Sequence, residues 1–113
     1  MRIYVAGPYN PRGADTHDAA RIVNHNVQRA IKTGIELIKK GHNPYIPHLT
    51  HYIHIESDIA FPEERWYEMD NEWIEYCEAL FYIAPSKGAD MELERFKKQG
   101  KPIYYSLKEV PVK

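Results

Sequence analysis

The spacing of hydrophobic positions changes several times along the chain, and each change predicts a new element. "RIYVA" (2–6) is a nearly continuous apolar run of β-formers closed by Gly7-Pro8, the pattern of a buried parallel strand. From about Asp15 to Lys40, Ala20, Val23, Val27, Ala30, Ile31, Ile35 and Ile38 recur at helical spacing. Asp15 or Thr16 can cap that helix, and Lys39, Lys40 and Gly41 mark its end. "NPYIP" (43–47) is a second short strand. The stretch 48–61 has no clean period and predicts a long functional loop with room for one helical turn. Pro62 suits a first helical position, followed by Glu63 and Glu64 in the first turn and a helix to about Cys77. "ALFYIA" (79–84) is a third strand, "PSKG" a loop, 89–99 a helix stopped by Gly100, and "PIYYS" (102–106) a fourth strand. No repeat or low-complexity tract interrupts the series.

Strands alternating with helices predict an α/β domain built on a parallel sheet covered on both faces. Right-handed crossovers make it a small doubly wound, Rossmann-like sheet of about four strands in the order 2-1-3-4. Ligands of such sheets bind outside the carboxyl ends of the strands, at the switch point. That rule selects the loops 7–14, 47–61 and 84–88.

Two carboxylates fall near this crevice. In "SKGADMELERFKKQGKPIYY" (86–105), Ala89, Leu93 and Phe96 form a narrow apolar arc; Glu92 lies at its edge, whereas Glu94 points nearly the opposite way and precedes Lys98 by four. Glu92 is therefore the inward one, either complementing the helix dipole or serving the cleft. In the preceding helix Trp66, Met69, Trp73 and Cys77 define an apolar stripe that contains Asp70. An aspartate there needs partners or a ligand, unless a new helix begins at "DNEW" with Asp70 as its N-cap. Two carboxylates at one crevice suit acid/base or nucleophilic chemistry, as in glycoside hydrolysis.

Composition narrows the field. A length of 113 residues suits one domain, 1–113, and 43% hydrophobic with 27% charged residues is an ordinary globular balance. Fifteen Lys+Arg against sixteen Asp+Glu give a net charge of −1, which argues against a nucleic-acid polymer as partner. The single cysteine, Cys77, permits no internal disulfide; with no signal-peptide or membrane-spanning run, a soluble cytoplasmic protein is expected.

Ser86 and Gly88 stand at a helix N-terminus, where free N–H groups favour an anion or a sugar hydroxyl. The Gly/Pro turn "AGPYNPRG" carries Tyr9, Asn10 and Arg12. Neither loop is a Walker or G-x-G-x-x-G motif, which disfavours ATP and dinucleotides. His48, His51 and His54 recur in "PHLTHYIH". They offer a zinc site, hydrogen bonds to a substrate or simple loop packing, although the spacing matches no metal signature. The aromatics Trp66, Tyr67, Trp73, Tyr76, Phe81 and Tyr82 read as core or interface, with Tyr9 the best placed to stack on a base.

"IYVAGPY", "DNEWIEYCEALFYI" from Asp70, and "SKGADMELERFKKQGKPIYY" together resemble the nucleoside 2-deoxyribosyltransferase superfamily, which includes the 2′-deoxynucleoside 5′-phosphate N-hydrolases. "PHLTH" is shared with its small, uncharacterised bacterial, archaeal and phage members. The resemblance implies cleavage or transfer at an N-glycosidic bond through a covalent glycosyl-enzyme, without a cofactor. It implies Glu92 as nucleophile, Tyr4 as the residue that orients it, and Asp70 on the base side. It also implies that Gly7, Ser86 and Gly88 hold the sugar. Where the nucleotide hydrolases carry an arginine for phosphate, this chain has Asn10, with Arg12 two positions on, and Asp90 would set negative charge near a phosphate. Reduced loops favour hydrolysis over transfer. The expected partner is a nucleoside or nucleotide, in a homodimer or higher oligomer, with Tyr9, Asn10, Arg12, His48 and His51 beside the substrate. A non-catalytic nucleotide sensor and a metal hydrolase using His48, His51 and His54 are the rival readings.

Overall fold

The computed structural model describes residues 1–10 and 16–113. Four strands, β1 (Arg2–Ala6), β2 (Asn43–Tyr45), β3 (Ala79–Tyr82) and β4 (Ile103–Tyr104), form one all-parallel sheet in the order β2-β1-β3-β4. Helices α1 (Thr16–Lys39), α2 (Thr50–Glu56), α3 (Glu63–Tyr76) and α4 (Lys87–Lys98) complete the expected α/β architecture. The central strand β1 is buried from Ile3 to Ala6, so its alternate side chains feed two cores. Ile3 and Val5 pack with Ala30 and Leu37 of α1 and Phe81 of β3. Tyr4 and Ala6 pack on the other side with Ile74, Leu80, Ala89 and Phe96.

Helices α1 and α4 each stop at a glycine with positive φ, Gly41 (92°) and Gly100 (68°). At each stop, the glycine N–H and the next residue's N–H return to carbonyls of the last turn, Gly41 to Ile38 and His42 to Leu37, Gly100 to Lys97 and Lys101 to Phe96. Only glycine takes that left-handed step without cost, and it turns the chain directly into the next strand.

Several expectations shift. The buried face of α1 is Val27, Ala30, Gly34 and Leu37, while Ile35 and Ile38 are exposed. Gly34 lets α1 settle against Ile46, which a β-carbon there would strike. The expected loop 48–61 holds a 3-10 turn at Pro47–Leu49 followed by the two-turn α2. In α3 the core residue is Ile74, and the indole of Trp73 is half exposed. Pro62 caps α3 from an extended conformation, and Asp70 lies mid-helix, so no second helix starts there. Asp15, the Thr16 side chain and Arg12 lie outside the described residues.

Candidate active site

The carboxyl ends of β1 and β3 and the turn after β2 open into a cleft of about 810 Å³. Gly7, Pro8, Tyr9 and Asn10 line it from the first loop, Pro47, His48 and Thr50 from the second, and Pro85 to Ala89 from the third. Glu92 of α4 and Asp70 of α3 both reach it. The switch-point rule and the helix count thus converge on one volume.

Behind the carboxylates stand two tyrosines that strand register places side by side. Tyr4 of β1 is the direct partner of Tyr45 of β2, with ring centroids 5.4 Å apart. The fully buried Tyr4 donates its hydroxyl to Glu92 Oε2. Tyr45 donates to Asp70 Oδ1 at 3.2 Å, and the Trp73 indole stacks on the Tyr45 ring at 5.2 Å and 22°. Each carboxylate therefore has its own phenol, and the two phenols brace each other.

Burial sets the charges. Desolvation pushes the Glu92 carboxyl up to about 8, against the opposing Tyr4 hydrogen bond and with help from the Asp70 charge. Desolvation also raises Asp70, to about 6, while the Tyr45 hydrogen bond pulls it down. Between those values the pair carries one proton, and the titration belongs to both groups. Burial first, then the neighbouring carboxylates, hold Tyr4 and Tyr45 well above the usual phenol range, so both are neutral donors. Cys77 is buried and its thiol is pushed up to about 11 by desolvation, which makes it a poor nucleophile.

The three histidines go three ways. His48 is buried, and its Nε2–H is shared between the carbonyls of Gly7 and Pro8 at 3.1 Å each, pinning the first loop and leaving Nδ1 without a partner. Burial lowers its basicity. His51 Nδ1 is hydrogen-bonded to the Tyr9 hydroxyl at 2.7 Å, and His51 does not line the cleft. His54 lines it, edge-on to Trp66. Among the described residues no three His, Cys, Asp or Glu side chains gather as metal ligands.

The residues of the first 106 positions decide the family: they match the domain of unknown function DUF7768 across residues 1–106. The chain belongs to the DUF7768 family. No curated protein matches it. Within this DUF7768 domain the expected site residues Gly7, Tyr9, Asn10, His48, Asp70, Ser86, Gly88 and Glu92 share the cleft. Tyr4 stands directly behind it and His51 beside it.

Asp90 differs from expectation. It accepts from Tyr82 at 2.6 Å and does not line the cleft, whereas Lys87 does. Ser86 caps α4, its Oγ accepting from Ala89 N at 3.0 Å. Gly88 has open space where a β-carbon would be. Sequence reasoning missed Tyr45, Lys87 and Asn26, whose amide donates to the Tyr9 carbonyl at 3.3 Å. It also read Trp66 and Tyr67 as core or interface, yet both line the cleft. The i,i+4 spacing of Trp66 and Asp70 on one helix was the available signal.

Proposed function

We propose that this domain is an N-glycosidase of nucleosides or nucleoside 5′-monophosphates, with Glu92 as nucleophile. The observation that carries the reading is a desolvated carboxyl held by a buried phenol on the floor of a cleft that also holds a second carboxyl. A glutamate with only a dipole-complementing role would not need the Tyr4 hydroxyl.

The proton rests on Glu92 in the free cleft, and the reactive form is the minority arrangement of the one-proton pair, in which Glu92 is ionised and the proton has moved to Asp70. A Glu92 oxygen attacks C1′ as the C1′–N bond breaks, and the electron pair leaves with the base nitrogen, which takes its proton from Asp70. The developing oxocarbenium charge stabilises the ionised Glu92, and Tyr4 keeps its other lone pairs aligned. Water then attacks C1′ of the ester, its proton passes to Asp70, and Glu92 returns as carboxylate. Ser86 and Gly88 suit the 5′ end of the sugar. Lys87 and the N-terminal N–H groups of α4 favour a 5′-phosphate there, now that Asp90 is turned to Tyr82.

Release of free base is the direct test. Wild type and Glu92→Gln are incubated with deoxy and ribo nucleosides and their 5′-monophosphates, and products are separated chromatographically. Base from wild type alone supports the glycosidase. Tight binding without release from any substrate favours a nucleotide sensor of the same fold, and loss of activity with chelator favours the metal hydrolase. No helix among the described residues is long and apolar enough to cross a membrane, and a cytoplasmic setting is part of this proposal. Self-association is proposed as well, because Tyr52, Ile53, Ile55 and Ile59 are exposed on and after α2. A monomer in light scattering at micromolar concentration would remove that part.

A further inference from the structure

The two tryptophans of the chain, Trp66 and Trp73, sit on the same helix but are used differently. Trp73 has an indole face covered by Tyr45, stacked at 5.2 Å, and it does not line the cleft. Trp66 lines the cleft, and its ring neighbours among the described residues stand nearly perpendicular to it. Phe61 approaches it at 5.7 Å and 87°, and His54 at 6.5 Å and 83°. No ring of the described residues stacks flat on Trp66. Phe61 and His54 line the same cleft as Trp66, so the three make an aromatic enclosure at its α2–α3 end.

Trp66 also precedes Asp70 by four residues, one turn along the same face of α3. A planar group resting on the indole thus has, one helical turn away in the same cleft, a carboxyl that can donate or accept a hydrogen bond. An enclosure for a bare cation needs no such polar edge.

We infer that Trp66 is the platform on which a nucleobase stacks, with Phe61 and His54 flanking it and Asp70 meeting the polar edge of the base. The inference deepens the glycosidase reading and rests on it for the identity of the ligand, a planar nitrogen heterocycle attached to a sugar. The platform gives binding energy without sequence-like discrimination among bases, because every base has a π-face. Discrimination falls to the edge contact with Asp70.

The test uses fluorescence and kinetics together. In the Trp73→Phe protein, Trp66 is the sole indole, excited at wavelengths where bases do not absorb. Free adenine, hypoxanthine, uracil and thymine are titrated in, with tetramethylammonium as the cationic probe. Saturable quenching by a base and none by the cation supports the platform; quenching by the cation alone, or by nothing, overturns it. In base release, Trp66→Ala is expected to lower kcat/KM roughly ten- to a hundredfold, with Trp66→Phe retaining most activity. Unchanged kcat/KM in a folded Trp66→Ala protein overturns the inference. If wild type releases no base while bases still quench Trp66, the glycosidase reading fails and the base platform stands.

Discussion

Replacing Glu92 by Gln should make the protein more stable, and by an amount that grows with pH. Gln keeps the shape of the side chain and an oxygen to accept from Tyr4, but it cannot ionise. In the folded protein the Glu92 carboxyl titrates at about 8, against 4.5 for an unperturbed glutamate. The unfolded chain therefore loses this proton first. The protonated group's contribution to stability is fully present below 4.5, declines as pH rises, and is gone once pH passes about 8. The whole shift corresponds to roughly 5 kcal/mol at about 1.36 kcal/mol per pKa unit. Glu92 keeps partial contact with cleft water, which screens its charge and brings the expected difference to about 3 kcal/mol. For a domain of this size that is a Tm gain of roughly 10 °C near pH 8, shrinking to a small one near pH 5. Asp70 is present in both proteins, so the difference reports Glu92 together with its coupling to Asp70. Differential scanning fluorimetry across that range, with circular dichroism to confirm the fold, reads it out. A Tm difference that stays flat with pH, or a less stable variant at pH 8, would refute the claim that a desolvated carboxyl is held in the cleft at a cost to stability.

The pH profile of kcat/KM should be bell-shaped, with limbs near the values of about 6 and about 8 set by Asp70 and Glu92, because the active pair carries one proton; a monotonic profile contradicts this. Tyr45→Phe removes the hydrogen bond that holds Asp70 down, so the acid limb should move up and the bell narrow, with kcat reduced about tenfold; an unmoved acid limb makes Tyr45 merely structural. Tyr4→Phe should move the basic limb up instead, since its hydroxyl favours the ionised Glu92, and the two shifts measured by initial rates distinguish the two tyrosines. Gly88→Ala meets no protein atom, so Tm should hold while KM rises several-fold as the methyl enters the sugar end of the cleft; an unchanged KM places the substrate elsewhere.

The sheet order was readable because the hydrophobic period switches cleanly at each glycine and proline. Glu92 was readable for a similar reason: its inward direction follows from the helix phase of Ala89, Leu93 and Phe96 alone. Other features depend on contacts that no local period carries. The α1 face was misplaced because Ile35 and Ile38 outweigh Gly34 in any hydrophobic count, although the small residue is what lets Ile46 pack. The helix α2 buries no residue, so it has no apolar stripe to recognise. Trp73 was read only as core or interface because its partner, the ring of Tyr45, lies on a strand far away in sequence. Tyr45 itself acquires a role only when β1 and β2 pair in register and set it beside Tyr4. Glu92 and Asp70 were picked out by helix phase, and the cleft adds the partner that holds each, Tyr4 for Glu92 and Tyr45 for Asp70.

The most direct test of Glu92 as nucleophile is to trap the ester. A fluorine at C2′ of an arabinosyl nucleoside destabilises the oxocarbenium-like transition state and slows hydrolysis of the intermediate. The protein would be incubated with such a nucleoside and with its 5′-phosphate, then examined by intact mass and peptide mapping. The account predicts one added fluoropentosyl group, carried on the peptide containing Glu92 and absent from Glu92→Gln. Base release with no adduct, or an adduct on any other side chain, would contradict it.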